Sequence, residues 1–265
     1  MIRLIASDMD GTLLDSEKRL PQGLMGVLRA LRERGVRFAV ASGRQYAALR
    51  RDMREVQDDI LFICENGALV MERGRRLHID PMPVATVADA VRATKEISGV
   101  FPVLCRAEVA LVERGASQEF MRATAPYYPS LRMVDDLLSC CGSDDVCKVA
   151  FYDEGDAQTH ELPALQGKLG AELSVILSGE KWVDVMRPGV HKGGAMRALQ
   201  EKLHIAPEEC MAFGDYLNDC ELLESVGESY AMENAHPRLK AMARHIAPGN
   251  DEDGVLRVIR EKVLL

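Results

Sequence analysis

Four short stretches of the chain carry side chains able to act together. Asp8 and Asp10 follow the largely apolar run at 2–6, and Ser42, Gly43 and Arg44 follow the run at 36–41. Lys192 opens a helical stretch, and Asp215, Asn218 and Asp219 lie at and just beyond the end of CMAFGD. A single aspartate ending a strand is usually a turn former or a helix cap. Together the four stretches point further. Carboxylates drawn from two strand ends repel one another unless a cation neutralises them, and an all-oxygen donor set suits magnesium. One carboxylate can then serve as a nucleophile. A serine hydroxyl, backbone N–H groups at a helix start and a lysine ammonium supply what the other oxygens of a phosphate require.

Those residues need a frame that delivers strand ends to one edge. Residues 2–6 read as a short buried strand, and Gly11-Thr12 as the turn that leaves it. Two positions apart on an extended chain, Asp8 and Asp10 would leave opposite faces, so a shared task requires a bend between them. Leu24, Val27, Leu28 and Leu31 recur at helical spacing within 22–35, which ends in a glycine. A strand at 36–41, a helix at 45–56 and a strand at 60–64 follow, with Glu65-Asn66-Gly67 as the turn into a hairpin. Strand and helix alternate, so the expected fold is α/β, with a doubly wound parallel sheet whose ligands sit at the strand carboxyl ends. The rhythm changes after Pro81-Met82-Pro83 and resumes at Pro188-Gly189. The reading is a discontinuous core at 1–81 and 188–265, with an inserted α/β domain at 82–187. A helix at 192–203, the strand CMAFGD and a helix beginning NDCELLESVG complete the core.

Composition narrows the function classes. The 265 residues carry a formal charge of −8, which disfavours a broad grip on nucleic acid or an anionic membrane. No apolar run approaches the roughly 20 residues needed to span a bilayer. Seven scattered cysteines, and no charged-then-apolar leader before the first strand, lead to an expectation of a reducing cytoplasm. Cys140, Cys141 and Cys147 lack a second cysteine pair or a nearby histidine and are read as idle thiols rather than zinc ligands. His191 is read as a surface or capping residue, and Arg44, Arg50, Arg51 and Arg54 as a solvated helix face with Arg44 alone near the site. Met9, Met121, Met133 and Met211 are read as core filler.

The stretches DMDGTLLD, ASGR, HKGGAM and FGDYLND, in that order, resemble the four motifs of haloacid dehalogenase superfamily phosphatases. ENGA, AMENA and NDEDGV further resemble the Cof-type members, whose large α/β cap is inserted between the second and third motifs. The resemblance implies a Rossmann-like core and a magnesium-dependent phosphatase that hydrolyses a small phosphomonoester through an aspartyl-phosphate. It makes Asp8 the nucleophile and a metal ligand, and Asp10 the general acid/base, with its backbone carbonyl on the metal. The Met9 N–H, Ser42 and Gly43 face the phosphate, Lys192 balances the charge, and Arg44 is grouped with the substrate-binding residues. Asp215 is a metal carboxylate, Asn218 an orienting amide, and Asp219 a support for the metal shell or for Lys192. Ser42 stands in place of a common threonine, Tyr216 in place of a small residue and Glu233 in place of a glycine, which loosens any transfer of substrate preference. A sugar phosphate or a phosphorylated cofactor is the expected partner. A phosphosugar mutase and a non-catalytic metabolite-binding protein are the rival readings; oligomeric state is not legible.

Overall fold

A computed structural model describes residues 1–95, 97–169 and 172–265. Its first strands are β1 (Leu4–Asp8), β2 (Arg37–Ala41), β3 (Leu61–Cys64), β4 (Leu69–Glu72) and β5 (Arg75–Ile79), with helices α1 (Leu24–Glu33) and α2 (Tyr46–Asp52). β1 and β3 are buried along their length and β2 at all but Arg37, as strands covered on both faces must be, whereas the edge strand β5 is exposed at Arg75 and Arg76. Next come α3 (Val84–Thr94), β6 (Val100–Arg106), β7 (Ala110–Glu113), α4 (Gln118–Thr124), β8 (Leu131–Val134), β9 (Val146–Asp153), α5 (Leu162–Lys168), β10 (Ser174–Gly179) and β11 (Trp182–Met186). The chain closes with α6 (Lys192–Leu203), β12 (Cys210–Gly214), α7 (Cys220–Glu224), β13 (Glu228–Met232), α8 (Pro237–Met242), β14 (His245–Ala247) and α9 (Gly254–Ile259).

These elements form two compact units. The first comprises Met1–Gly43, Met53–His78 and His191–Leu265; the second comprises Arg44–Asp52 and Ile79–Val190. In the first, the strand order is β14-β13-β12-β1-β2-β3-β4-β5, and neighbours from β14 through β3 run parallel. Successive strands leave β1 toward β2 on one side, while the late strands build outward from β12 on the other. That reversal lies between β1 and β12, the position at which open α/β sheets bind ligands beyond their carboxyl ends. Ser7 is level with Phe213, so Asp8 and Asp215 emerge from adjacent strands at the same edge. Helix α1 buries Leu24, Val27, Leu28 and Leu31, the four residues whose spacing predicts it.

The second unit is also α/β. Its sheet runs β10-β11-β9-β6-β7-β8, antiparallel from β10 through β7 and parallel between β7 and β8. The central strand β9 is buried on both faces and divides two apolar clusters. Val149 and Phe151 pack with Val87, Val91 and Leu165 of α3 and α5, whereas Ala150 and Tyr152 pack with Phe120 of α4. Met9 and Met211 are core residues, but Met133 is exposed because β8 is an edge strand. Among the described residues, no helix is long and apolar enough to cross a membrane.

Candidate active site

The first unit gathers Asp8, Asp215, Asp219 and Lys192 at the carboxyl edge of β1 and β12. Asp8 is the last residue of β1, and its backbone carbonyl accepts the Ser7 hydroxyl at 2.8 Å. The chain then bends tightly, with the N–H groups of Leu13 and Leu14 donating to the Met9 carbonyl at 3.1 and 2.8 Å. Asp10 lies within this bend, with one carboxylate oxygen 2.9 Å from the Lys18 ammonium.

Lys192 is the first residue of α6, and His191 caps that helix by accepting the Gly194 N–H at 3.1 Å. Two close approaches fix the helix. Gly67 has φ +104, in the left-handed region, and a Cβ there would collide with the His191 carbonyl. Gly193 touches the Glu221 carbonyl, so any side chain would push α6 away from α7. Glu65 and Asn66 also have left-handed backbones, φ 50 and 55, which gives the ENG turn its tight shape. The Lys192 ammonium then reaches Asp8 at 2.5 Å and Asp219 at 2.6 Å, and all three side chains are at least nine-tenths buried.

Asp219 is held from both sides. Its second oxygen accepts the N–H groups of Asp215 and Tyr216, at 3.1 and 3.3 Å. Asp215 accepts the Thr12 hydroxyl at 3.0 Å, and its carbonyl accepts the His236 N–H at 2.8 Å. Asp8, Asp215 and Asp219 each bring an oxygen within 4.8 Å of the others, so this buried acidic cluster can hold a metal ion. Burial pushes the Asp8 carboxyl up to about 8; Lys192 pulls it back, and Asp219 and Asp215 push it further. Burial and Asp219 raise Asp215 as well, with Thr12 opposing. Burial alone would lower Lys192, but Asp8 and Asp219 outweigh it and hold the ammonium above the usual lysine range. Three carboxyl groups thus share one point beside a single ammonium, and hard oxygen donors are what a small divalent cation selects.

Ser42 is buried just past β2. Its N–H donates to the Ile63 carbonyl at 2.9 Å and its carbonyl accepts the Asn66 N–H at 3.1 Å, while Gly43 leaves only room for the Asn66 side chain beside it. Arg44 belongs to the second unit, where its guanidinium pairs with Asp52 at 2.7 Å. Arg50, Arg51 and Arg54 are exposed. Asn218 is exposed on the turn at Leu217–Asp219, and so is Glu233. Tyr216 is exposed too, with its ring edge-on to His236 at 5.7 Å.

Several contributors escaped the sequence reading. Thr12 bonds Asp215 from within DMDGTLLD, where it was read only as a turn residue. Asn234 donates to the Gly11 carbonyl at 2.8 Å and accepts the Asn250 N–H at 3.1 Å, and Asn250 donates to the Leu14 carbonyl at 2.9 Å. AMENA and NDEDGV thus brace the loop that follows β1; their family signal was visible, but their contacts were not. The Lys18 contact left no signal in the sequence.

The chain is similar to known proteins over most of its length. Residues 5–259 match the family model of haloacid dehalogenase-like hydrolases. The chain is 32% identical to the 5-amino-6-(5-phospho-D-ribitylamino)uracil phosphatase YbjI of Escherichia coli (strain K12) over 272 residues, covering 99% of this chain and 96% of the relative. It is also 32% identical to the HMP-PP phosphatase of Escherichia coli O157:H7, covering 93% of this chain and 89% of that one. The fold is shared with the HAD subclass IIB sugar phosphatase BT4131, at TM-score 0.80 and 20% identity, over 99% of this chain and 100% of that one. With its match spanning both units and its acidic cluster at the sheet's switch point, the chain belongs to the haloacid dehalogenase-like hydrolases and is a phosphomonoester hydrolase of that family.

Proposed function

We propose that the protein is a magnesium-dependent phosphatase that hydrolyses a small phosphorylated metabolite through an aspartyl-phosphate on Asp8. The observation that carries this reading is the buried Asp8–Lys192–Asp219 array with Asp215 beside it. Asp8 and Asp215 would hold the magnesium, joined by the Asp10 carbonyl that the family resemblance adds, and Asp219 would fix Lys192 and the loop at 215–216 through the bonds described above. When bound, the ion supplies charge neutralisation for the acidic cluster and for a phosphate placed against it.

An Asp8 oxygen attacks phosphorus. The phosphorus–oxygen bond to the leaving group breaks, and Asp10 gives that oxygen its proton. Water then attacks the phosphorus of the aspartyl-phosphate, Asp10 accepts the water proton, and phosphate leaves with Asp8 restored. The Lys192 ammonium opposes the negative charge on Asp8 and on the phosphoryl oxygens throughout. Ser42, Gly43 and the Met9 N–H are assigned to those oxygens, with Asn218 and Arg44 toward the rest of the substrate.

Residues 1–81 and 188–265 are assigned as the catalytic core and 82–187 as the cap that selects the substrate. The second compact unit, Ile79–Val190 together with Arg44–Asp52, has its own sheet and two apolar clusters, which supports the inserted part of this division. The names of YbjI and the HMP-PP phosphatase point to phosphorylated metabolites as substrates. Seven free cysteines suit a reducing cytoplasm.

The test is phosphate release from a panel of phosphorylated metabolites, 5-amino-6-(5-phospho-D-ribitylamino)uracil and sugar phosphates included, with and without magnesium. Magnesium-dependent release is expected. Isomerisation that requires a bisphosphate would indicate a mutase, and binding without turnover a metabolite-binding protein.

A further inference from the structure

We propose that residues 157–168 form a proton-controlled latch in the second unit, closed while Glu161 is neutral and opening locally to carry Glu161 to solvent when it ionises. The segment begins with a π-type turn, Ala157–Glu161, and continues directly into α5. Asp156 starts the turn by accepting the N–H groups of Gln158 and Thr159, at 2.9 and 3.2 Å. Glu161, at its end, is fully buried, and neither of its oxygens has a hydrogen-bond partner. A carboxylate ionised in that position would have nothing to replace the water it has lost. Burial and ionisation of Glu161 therefore oppose each other.

The charged groups around it do not relieve this. From β9, Asp153 accepts the Gly155 N–H at 2.8 Å and meets the exposed His160 ring of the same turn at 2.7 Å. From β11, Asp184 pairs with Lys148 of β9 at 2.9 Å. β10 carries no charged residue; in the turn that follows it, Glu180 is exposed and the Lys181 ammonium reaches Glu119 at 3.0 Å. Lys168, the charged residue of α5, is exposed. Burial first, and then Asp153 and Asp184, oppose the ionisation of Glu161. The segment can leave without dismantling the sheet, because it contributes no strand to it. It docks through Leu165 in the apolar cluster on that face and through a 3.3 Å bond from the Ala157 N–H to the Glu180 carbonyl. A helix and turn held in this way can open as a contiguous piece while β9 and β11 stay paired.

Opening releases the Glu161 proton wherever the pH lies between 4.5 and about 8, so the open population should rise up to tenfold per pH unit in that window. Amide hydrogen exchange on the full chain from about pH 6 to about pH 8, corrected for the intrinsic pH dependence of exchange, reads that population. In the wild type, protection of 157–168 should fall about tenfold per pH unit and lie below that of β9 and β11 throughout. Glu161→Gln and Glu161→Met should each remove the pH dependence, and the wild-type profile stands as a test even where a variant folds poorly. Protection of 157–168 that does not change with pH would overturn the proposal. So would protection equal to that of β9 and β11, because the whole unit would then open together. A pH dependence that survives in both variants would place the switch on His160 or another group and would also overturn it.

Discussion

Each unit buries a group of carboxyl groups, and the two groups are arranged differently. In the first unit, Asp8, Asp215 and Asp219 converge beside the Lys192 ammonium. In the second, Asp184 pairs with Lys148 at 2.9 Å, and Asp153 accepts the Gly155 N–H at 2.8 Å and meets His160 at 2.7 Å. Glu161 is fully buried beside them, with no hydrogen-bond partner for either oxygen. Burial, then Asp153 and Asp184, push its carboxyl from 4.5 up to about 8, so it is neutral at pH 7. The Asp8 carboxyl is likewise pushed up to about 8, so a retained proton does not separate the two groups. Convergence does: in the first unit three carboxyl groups bring an oxygen within 4.8 Å of one another beside one ammonium, a donor set that a divalent cation can occupy. In the second unit Asp184 and Asp153 meet protein partners instead.

The contrast can be broken most forcefully at Asp8. Asp8→Asn should reduce turnover by at least about 10⁴-fold, because an amide cannot form the acyl phosphate, and should leave the fold intact. Steady-state kinetics together with circular dichroism would check this. Removing magnesium with excess chelator should abolish activity and restoring it should recover activity, while calcium, with its larger and looser shell, should inhibit. Magnesium should also stabilise the protein, by about 2.7 kcal/mol at a hundredfold excess over Kd, a shift that Asp8→Asn and Asp215→Asn should reduce. Full turnover in chelator would remove the distinction between the two carboxylate groups.

Stability should separate them next. Lys192→Met leaves Asp8 and Asp219 buried without their cation and should cost about 3–5 kcal/mol in urea unfolding without magnesium, with part regained when magnesium is added. Lys148→Met should destabilise by a similar amount, and magnesium should restore none of it.

The smallest effect belongs to Glu161. Its pKa is raised on folding, so between pH 4.5 and about 8 the native state keeps a proton that the unfolded chain has lost. Its contribution therefore weakens as pH rises through that window, by at most about 1.4 kcal/mol per pH unit. Glu161→Met should remove that slope, so the variant gains on the wild type from pH 5 to pH 8. Parallel stability curves would show that Glu161 titrates normally.

Much of the first unit was legible because its signals are local. Apolar runs, the spacing of Leu24, Val27, Leu28 and Leu31, and polar residues at strand ends are written in consecutive positions. The doubly wound sheet with its site at the strand carboxyl ends followed from the alternation of strand and helix, but the pairing of β1 with β12 was not read from it. Contacts across long separations were not written there. Thr12 meets Asp215 and Asn250 meets Leu14 only after the sheet has formed. The Lys18 contact depends on a left-handed backbone that no residue type announces at a lysine. Helix ends were also blurred: residues 45–56 were read as one helix, but α2 stops at Asp52, and the stretch after Asp215 begins as a tight turn before α7. His191 proved readable because a residue preceding a helix has few other tasks, and it caps α6.

The central claim is that Asp8 carries the phosphoryl group. During turnover of 4-nitrophenyl phosphate, the enzyme can be quenched in acid and treated with borohydride, which reduces an acyl phosphate to the alcohol, and the peptides read by mass spectrometry. The account predicts homoserine at position 8, dependent on substrate and magnesium and absent from Asp8→Asn. Modification at another carboxylate, or phosphate retained on a histidine with position 8 unchanged, would contradict it.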